Sequence, residues 1–138
     1  KNHISLIFNK VKIINYQGKF ALKHENLPNI SPDLIYLDGP SLYSVKKKFM
    51  GFSFNNISRV PMSADILFLE FFLEPGTFIV IDGRGANAEF LRSFLRRNWK
   101  YFYDKKGDCH YLELIEKPWG EWNNKKLIFC LKEKFKYF

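Results

Sequence analysis

Two short segments of the chain have the same form, and they constrain the fold more than any other feature. Residues 34–39 read Leu-Ile-Tyr-Leu-Asp-Gly, and residues 78–83 read Phe-Ile-Val-Ile-Asp-Gly. Each is a short apolar run, rich in β-branched and aromatic residues, that ends in Asp-Gly. This pattern predicts a strand buried on both faces, followed by a tight turn. Because a helical stretch lies between the two strands, the unit is a crossover connection that makes them parallel.

The acidic residues that end these strands, Asp38 and Asp82, are the candidate catalytic residues. Parallel strands place their carboxyl ends at one edge of the sheet, which is the edge where open α/β sheets bind ligands. The alternative is that each Asp caps the next helix or stabilises its own turn. Two such residues at one edge favour a binding site over that alternative.

Further residues after the second strand extend the candidate site. Arg84 lies between two glycines and suits an anionic group on a substrate. Asn87 follows on the same connection, so both are predicted to bind substrate. Oxygen atoms of the two aspartates and Asn87 also suit a hard cation such as Mg²⁺, or one carboxylate can act as a general base. No dinucleotide fingerprint and no phosphate-binding loop occurs in the sequence.

Size and composition favour one folded domain over residues 1–138. Hydrophobic residues make up 46% of the chain and 15 residues are Phe, which excludes intrinsic disorder. Two cysteines form neither a zinc pattern nor a disulfide framework, which favours a cytoplasmic location. The first residues resemble neither a signal peptide nor a membrane span, and because the chain begins at Lys1 we expect a processed or truncated piece.

The net charge of +8 favours encounter with anions such as phosphates, nucleic acid or an acidic membrane surface. The basic residues are scattered along the chain rather than clustered. This distribution is typical of a solvated surface, so nucleic acid is not the predicted partner, and no membrane partner is predicted.

Other segments complete the predicted order of elements. A strand is predicted over residues 11–16, with a turn at Gln17-Gly18 and a weakly helical or irregular stretch after it. Helices are predicted from Ser41, over 61–74 and over 86–98, and residues 99–103 and 109–116 read as an antiparallel hairpin. The apolar run 127–131 reads as a strand that pairs at a sheet edge or with another chain. The helix over 61–74 is apolar around nearly its whole circumference, which predicts cover from a neighbouring chain or from a missing segment.

These residues together resemble the second half of class I S-adenosylmethionine-dependent methyltransferases. The resemblance is carried by Pro-Asp-Leu-Ile-Tyr-Leu-Asp-Gly-Pro at 32–40 and by Leu-Glu-Pro-Gly-Thr-Phe-Ile-Val-Ile-Asp-Gly at 73–83, followed by a helix and a terminal hairpin. It covers about residues 11–116 and is strongest to small-molecule and sugar O-methyltransferases. It implies a Rossmann-like, mostly parallel sheet with a C-terminal antiparallel hairpin, lacking the first strands of the full fold, and it makes 11–16 the third strand.

The resemblance also implies an activity and a cofactor. It predicts O-methyl transfer to a small molecule or sugar, with Asp38 near the transferred methyl group and Asp82 placing the acceptor hydroxyl. Gln17 and Gly18 fall where the family contacts the adenine, so Gln17, Gly18 and Asp38 are the predicted cofactor contacts. The Gly-rich segment of the family is absent, which predicts inactivity of the chain alone. Metal-dependent relatives have Asp and then Asp or Asn after the fifth strand, whereas Gly83 follows Asp82 here, which argues against a divalent metal.

Two other classes of function are compatible with the sequence. The first is a non-catalytic basic module that binds nucleic acid or another polyanion. The second is an interaction half-domain whose sheet is completed by a partner chain or by a second copy. The leading hypothesis remains a methyltransferase-like domain that acts on a small-molecule acceptor.

Overall fold

The computed structural model describes residues 3–38, 48–53 and 62–134. The helix predicted from Ser41 lies largely outside these residues. The described elements, in chain order, are β1 (Val11–Tyr16), β2 (Lys19–His24), β3 (Leu34–Leu37), β4 (Lys48–Phe49), β5 (Phe52–Ser53), α1 (Asp65–Leu69), a 3₁₀ helix (Glu70–Phe72), β6 (Phe78–Asp82), α2 (Gly85–Phe94), β7 (Trp99–Asp104), β8 (Cys109–Leu114) and α3 (Glu121–Lys134).

A four-stranded mixed sheet with the order β3, β6, β8, β7 organises the described fold. Strands β3 and β6 are parallel, with Leu34 opposite Phe78 and Leu37 opposite Ile81, which confirms the predicted parallel pair. Strand β8 is antiparallel to both β6 and β7, so the predicted hairpin is also confirmed. Three of these strands therefore run in one direction and β8 runs in the other. The chain is mixed α/β, as predicted.

Burial alternates along the strands of this sheet. Ile79, Ile81 and Leu112 are fully buried on the face that packs with α1 and α2. On the opposite face Tyr36 is 60% exposed and Phe102 is 61% exposed. The prediction that the strands are buried on both faces is therefore wrong for the described part of the chain. Successive side chains of a strand point to opposite faces, and the described helices cover one of them.

The prediction that 11–16 forms the third strand of the parallel sheet is wrong. Strand β1 pairs antiparallel with β2 in a separate two-stranded sheet, and Tyr16 lies opposite Lys19 across a two-residue turn. Gln17 has φ 47° and Gly18 has φ 86°, which is the positive pair that a tight hairpin turn needs. The stretch predicted as weakly helical or irregular is consequently strand β2.

This hairpin of β1 and β2 packs on the outer side of the helices. Leu22 bonds to the backbone beside α1, since its N–H donates to the Met62 carbonyl at 2.6 Å. Tyr16 makes edge-to-face contacts with Phe90 and Phe94 of α2, at centroid distances of 6.1 and 5.2 Å. The hairpin therefore encloses a helix layer between itself and the main sheet.

The helices are shorter than the sequence pattern predicts. The helix predicted over 61–74 is α1 followed by one 3₁₀ turn, and Phe68, Phe71 and Phe72 are 40%, 60% and 68% exposed. Helix α2 ends at Phe94 rather than at residue 98. Its end is fixed because the buried Glu70 carboxylate accepts the backbone N–H groups of the two residues after Leu95.

Residues 121–134 form helix α3, so the strand predicted over 127–131 is wrong. Over residues 121–130, where burial is described, the buried or half-buried residues are Asn123, Lys126, Leu127 and Cys130. This spacing of three, four and seven marks one helix face. Leu127 lies so close to Gly76 that a Cβ at Gly76 would overlap it. Gly76 therefore lets α3 pack against the start of β6.

Candidate functional site at the carboxyl edge of the parallel strands

Asp38 and Asp82 lie at the same edge of the four-stranded sheet. Leu37 is opposite Ile81 in the parallel register, and the two aspartates are the next residues along each strand. The Asp38 side chain is 65% exposed, and Asp82 is half-buried. The predicted juxtaposition of the two carboxylates at one edge is therefore present. We call this edge the acidic rim.

Tyr36 belongs to the acidic rim although its sequence context gave no sign of it. Its hydroxyl donates a hydrogen bond to the Asp82 carboxylate. This bond raises the pKa of Tyr36 to about 12, because the phenolate would lose it and would face the charge of Asp82. Tyr36 therefore stays protonated at neutral pH and presents Asp82 with a donor.

Cys109 lies on the other side of Asp82, directly opposite it on β8. Its Sγ is 3.8 Å from Asp82 Oδ1 and 3.3 Å from the Gly107 carbonyl oxygen. The antiparallel hairpin places this thiol at the rim because β8 begins where β6 ends. The hairpin was predicted from the sequence, but this thiol was not among the predicted site residues.

Arg84 contributes positive charge to the acidic rim. It is the residue before the first turn of α2, and its side chain is 22% exposed. The guanidinium Nη2 lies 3.9 Å from Asp38 Oδ1, which is a loose ion pair with an exposed carboxylate. Such a pair adds little to stability. A ligand can therefore rearrange it at low cost.

Asn87, predicted to bind substrate, is buried in the first turn of α2 with 4% of its surface exposed. Its Oδ1 accepts the Ser63 backbone N–H at 2.6 Å, which ties α2 to the segment before α1. Its Nδ2 is buried and has no hydrogen-bond partner in the described structure. The Asn87 amide oxygen therefore already has a hydrogen-bond partner inside the fold.

Gln17 and Gly18, the predicted adenine contacts, lie away from the acidic rim. They form the exposed turn between β1 and β2, and Gly18 N–H bonds to Asn15 at 2.8 Å. The adjoining residues contact Phe94, at the carboxyl end of α2, whereas the rim lies at the amino end of that helix. A helix of 10 residues is about 15 Å long. The described fold therefore does not bring these two residues together with Asp38 and Asp82.

A buried histidine, His110, follows the rim residue Cys109 on strand β8. His110 is 7% exposed, and its Nδ1 lies 2.7 Å from the Tyr101 hydroxyl. Its ring stacks on Tyr103 with centroids 4.4 Å apart, and its Nε2 faces Gly85. Tyr103 in turn donates to Asp108 at 3.0 Å, and this bond raises the pKa of Tyr103. The alternation of the hairpin predicts this buried face, but not the polar bonds within it.

No group of three or more His, Cys, Asp or Glu side chains suited to a metal ion occurs among the described residues. No described helix is long and apolar enough to cross a membrane. Comparison with known protein families, with curated proteins and with solved structures gives no match to this chain. The arguments about function therefore rest on the acidic rim itself.

The acidic rim can bind a hydroxylated molecule through complementary groups. The two carboxylates accept hydrogen bonds and can remove a proton from a hydroxyl group, whereas Arg84 and Tyr36 donate. The two aspartates end neighbouring strands of one sheet, so the parallel register fixes the relative position of their backbones. This arrangement suits the positioning of a small polar substrate.

Proposed function

We propose that this chain is a methyltransferase-like domain with a Rossmann-like fold that positions a small hydroxylated acceptor, such as a sugar, for O-methyl transfer from S-adenosylmethionine. The observation that carries the proposal is the pairing of Asp38 and Asp82 at the carboxyl edge of two parallel strands. In this role Asp38 is the base for the acceptor hydroxyl and Asp82 orients it, with Tyr36 holding the Asp82 carboxylate.

The direction of the strands supports this assignment. Three strands of the sheet run together, and the last strand, β8, returns antiparallel between two of them. Such a closing pair is what the resemblance predicts after the second strand-Asp-Gly unit. In addition, β3 has only one neighbour within the described sheet, so further strands have room to pair along its other side.

The described residues do not fit S-adenosylmethionine by themselves. Of the three predicted cofactor contacts, Asp38 lies at the acidic rim, whereas Gln17 and Gly18 are at the far end of α2. The rim offers Gly83 and Gly85 beside Arg84, but this segment carries no dinucleotide fingerprint. We therefore assign acceptor binding to this chain, and propose that residues beyond those described here complete the cofactor site.

Calorimetric titration of S-adenosylmethionine tests the assignment. We expect weak or absent binding to the 138-residue chain by itself and clear binding once the residues that complete the cofactor site are supplied. The substitution Asp38→Asn should weaken that binding by about tenfold, through loss of one charge-assisted hydrogen bond. Asp104→Asn is the matched control, because Asp104 lies at the same edge but its carboxylate bonds to the Lys106 N–H of its own turn. Absence of binding by the complete protein would defeat the proposal.

The exposed aromatic face of the sheet favours a second candidate, an interaction half-domain. Leu34, Tyr36 and Phe102 are each about 60% exposed on one face, and Phe71 and Phe72 are similarly exposed beside α1. Large exposed apolar surfaces mark interaction sites. Sedimentation of the chain distinguishes the candidates, because a stable monomer that binds no other chain counts against the interaction role.

A further inference from the structure

A pocket lies at the edge of the sheet opposite the acidic rim. It has a volume of about 300 Å³ and is lined by Glu74, Trp119, Trp122, Asn123 and Lys126. Asp33, which contacts Lys126, and Glu74 precede the two parallel strands, whereas Asp38 and Asp82 follow them. The pocket is thus separated from the rim by the length of a strand. The inference drawn from it does not depend on the proposed methyltransferase function.

The two tryptophans of this pocket stay accessible although they are large and apolar. Trp119 is 55% exposed and Trp122 is 83% exposed, and both residues line the same pocket. The third tryptophan of the chain, Trp99, is only partly exposed, and its indole N–H donates to Glu70 at 3.0 Å. Two exposed indoles at one cavity provide a stacking surface for a ring with an apolar face.

The walls of the pocket are held in place by polar contacts. Asn123, 7% exposed, donates to the Pro75 carbonyl oxygen at 3.0 Å, and its Oδ1 accepts the Trp119 backbone N–H at 3.0 Å. The Arg97 guanidinium lies 5.0 Å from the centre of the Trp119 ring. Arg97 is itself fixed by its ion pair with Glu116. The Trp119 side of the pocket is therefore held in place before any ligand arrives, which lowers the entropic cost of binding.

Charges around the pocket select against ionic ligands. Cationic groups already lie over both indoles, since Lys125 Nζ is 5.0 Å from the Trp122 ring centre and Arg97 is over Trp119. These groups repel a quaternary ammonium ligand that would use the same rings. Glu74 forms an ion pair with Lys126 Nζ at 3.0 Å, so these two charges on the pocket wall largely cancel. A neutral ligand therefore suits the wall better than an ionic one.

Polar groups on the wall also select against a purely apolar ligand. The Glu74 carboxylate accepts hydrogen bonds, and the Lys126 ammonium donates them. An apolar molecule would exclude water from this ion pair and would offer neither charged group a hydrogen bond in exchange. A neutral ring that bears hydroxyl groups satisfies both requirements, because its C–H face stacks on indole and its hydroxyls bond to Glu74 and Lys126.

The geometry points to a binding site for a neutral sugar at this tryptophan pocket, formed by Glu74, Trp119, Trp122, Asn123 and Lys126. Its volume is at the lower end of the range of about 300–1,000 Å³ for small-molecule sites, which suits one monosaccharide-sized ring of a longer chain. The site is open, and the two aromatic contacts and two polar contacts predict a dissociation constant of about 1 mM.

Nuclear magnetic resonance of the three indole N–H groups tests this inference directly. Cellotriose, maltotriose and triacetylchitotriose are added separately to the ¹⁵N-labelled chain. We expect at least one of them to shift the Trp119 and Trp122 signals saturably. The Trp99 signal should stay in place, because its N–H is bonded to Glu70 inside the fold.

Two variants on the same helix supply the matched comparison. Trp122→Ala should weaken saccharide binding by about tenfold or more, because the stacking contact with the sugar ring is lost. Phe129→Ala removes an aromatic side chain that is 64% exposed on α3 but lies outside the pocket. The affinity of this variant for the saccharide should therefore be unchanged. Both positions are exposed, and unchanged positions of the other amide signals will show that each variant is folded.

Three results would overturn the sugar site. One is the absence of any indole shift with all three saccharides at about 20 mM, well above the expected dissociation constant. Another is full retention of saccharide affinity by Trp122→Ala. The third is a shift of the same two signals by tetramethylammonium chloride but by no saccharide, which would assign the pocket to a cation.

Discussion

Two carboxylates at opposite edges of the main sheet are used in different ways. At the amino edge of the parallel strands, Glu70 is 2% exposed and accepts the N–H groups of Arg96, Arg97 and Trp99. At the carboxyl edge Asp38 is 65% exposed and, within the described part of the chain, forms a loose ion pair. The Glu70 charge is therefore consumed by the fold, whereas the Asp38 charge retains bonding capacity for a ligand. Burial and satisfied bonds, rather than acidity alone, separate a structural carboxylate from a candidate site.

The largest expected contrast between the edges is in stability. Glu70→Ala should lower the free energy of unfolding by about 3 kcal/mol, because it leaves three partly buried donors without their acceptor. Asp38→Ala should change it by less than about 0.5 kcal/mol, since the side chain is exposed and loosely paired. Urea unfolding of the two variants measures the contrast. Equal losses would show that the two edges do not differ in the way described.

A smaller effect at the amino edge is the dependence of stability on pH. Arg97 hydrogen-bonds to Glu116 at 2.5 Å and lowers the pKa of Glu116 below its ordinary value of 4.5. A lowered pKa stabilises the fold fully above 4.5, and this contribution is lost as the pH falls through the lowered value. We expect the stability difference between the natural chain and Glu116→Gln to shrink as the pH falls below 4.5, as followed by urea unfolding at several pH values. A difference that is constant across this range would contradict the assigned ion pair.

The smallest expected effect on stability is at the carboxyl edge, where Asp82 accepts the hydrogen bond from Tyr36. Asp82→Asn should alter the free energy of unfolding by less than about 0.5 kcal/mol, because its bond to Tyr36 is exposed. It should nevertheless lower the pKa of Tyr36 from about 12 toward its ordinary value of 10.0, since the charged acceptor is gone. Ultraviolet titration of Asp82→Asn, with Tyr36→Phe to identify the signal, measures the shift. An unchanged titration would place the Tyr36 hydroxyl elsewhere.

Much of the main sheet was predictable because its signals are local. The apolar runs of β3 and β6 end in Asp-Gly, and a crossover of that length forces them parallel. The hairpin of β7 and β8 follows from two apolar segments around the turn Asp104-Lys-Lys-Gly-Asp108. The burial of only one face was not predictable in this way. A continuous apolar run looks the same whether one face or both are covered.

The misplaced elements depend on contacts between distant segments. An apolar run at 11–16 does not reveal its partner, although Gln17-Gly18 is a turn that a two-residue hairpin can use. The run 127–131 was predicted as a strand, whereas the helical spacing that starts at Asn123 becomes evident only over the whole of α3.

The site was predictable only for the residues that end strands. Asp38 and Asp82 were placed at one edge correctly, because the parallel register decides this. Tyr36 and Cys109 reach Asp82 through cross-strand pairing, which requires the alignment of β6 with its neighbours. The positions of Gln17 and Gly18 rested on the resemblance and on the order of strands it implied, and that order does not hold for β1.

The measurement that tests the central claim most directly is methyl transfer by the complete natural protein, from radiolabelled S-adenosylmethionine to a panel of free and nucleotide-linked sugars. The account predicts incorporation of label into at least one acceptor. Asp38→Asn should lower it by about a hundredfold or more through loss of the base, while Asp104→Asn leaves it unchanged. Transfer that proceeds equally well in Asp38→Asn and Asp82→Asn, or no transfer to any hydroxylated acceptor, would contradict the account.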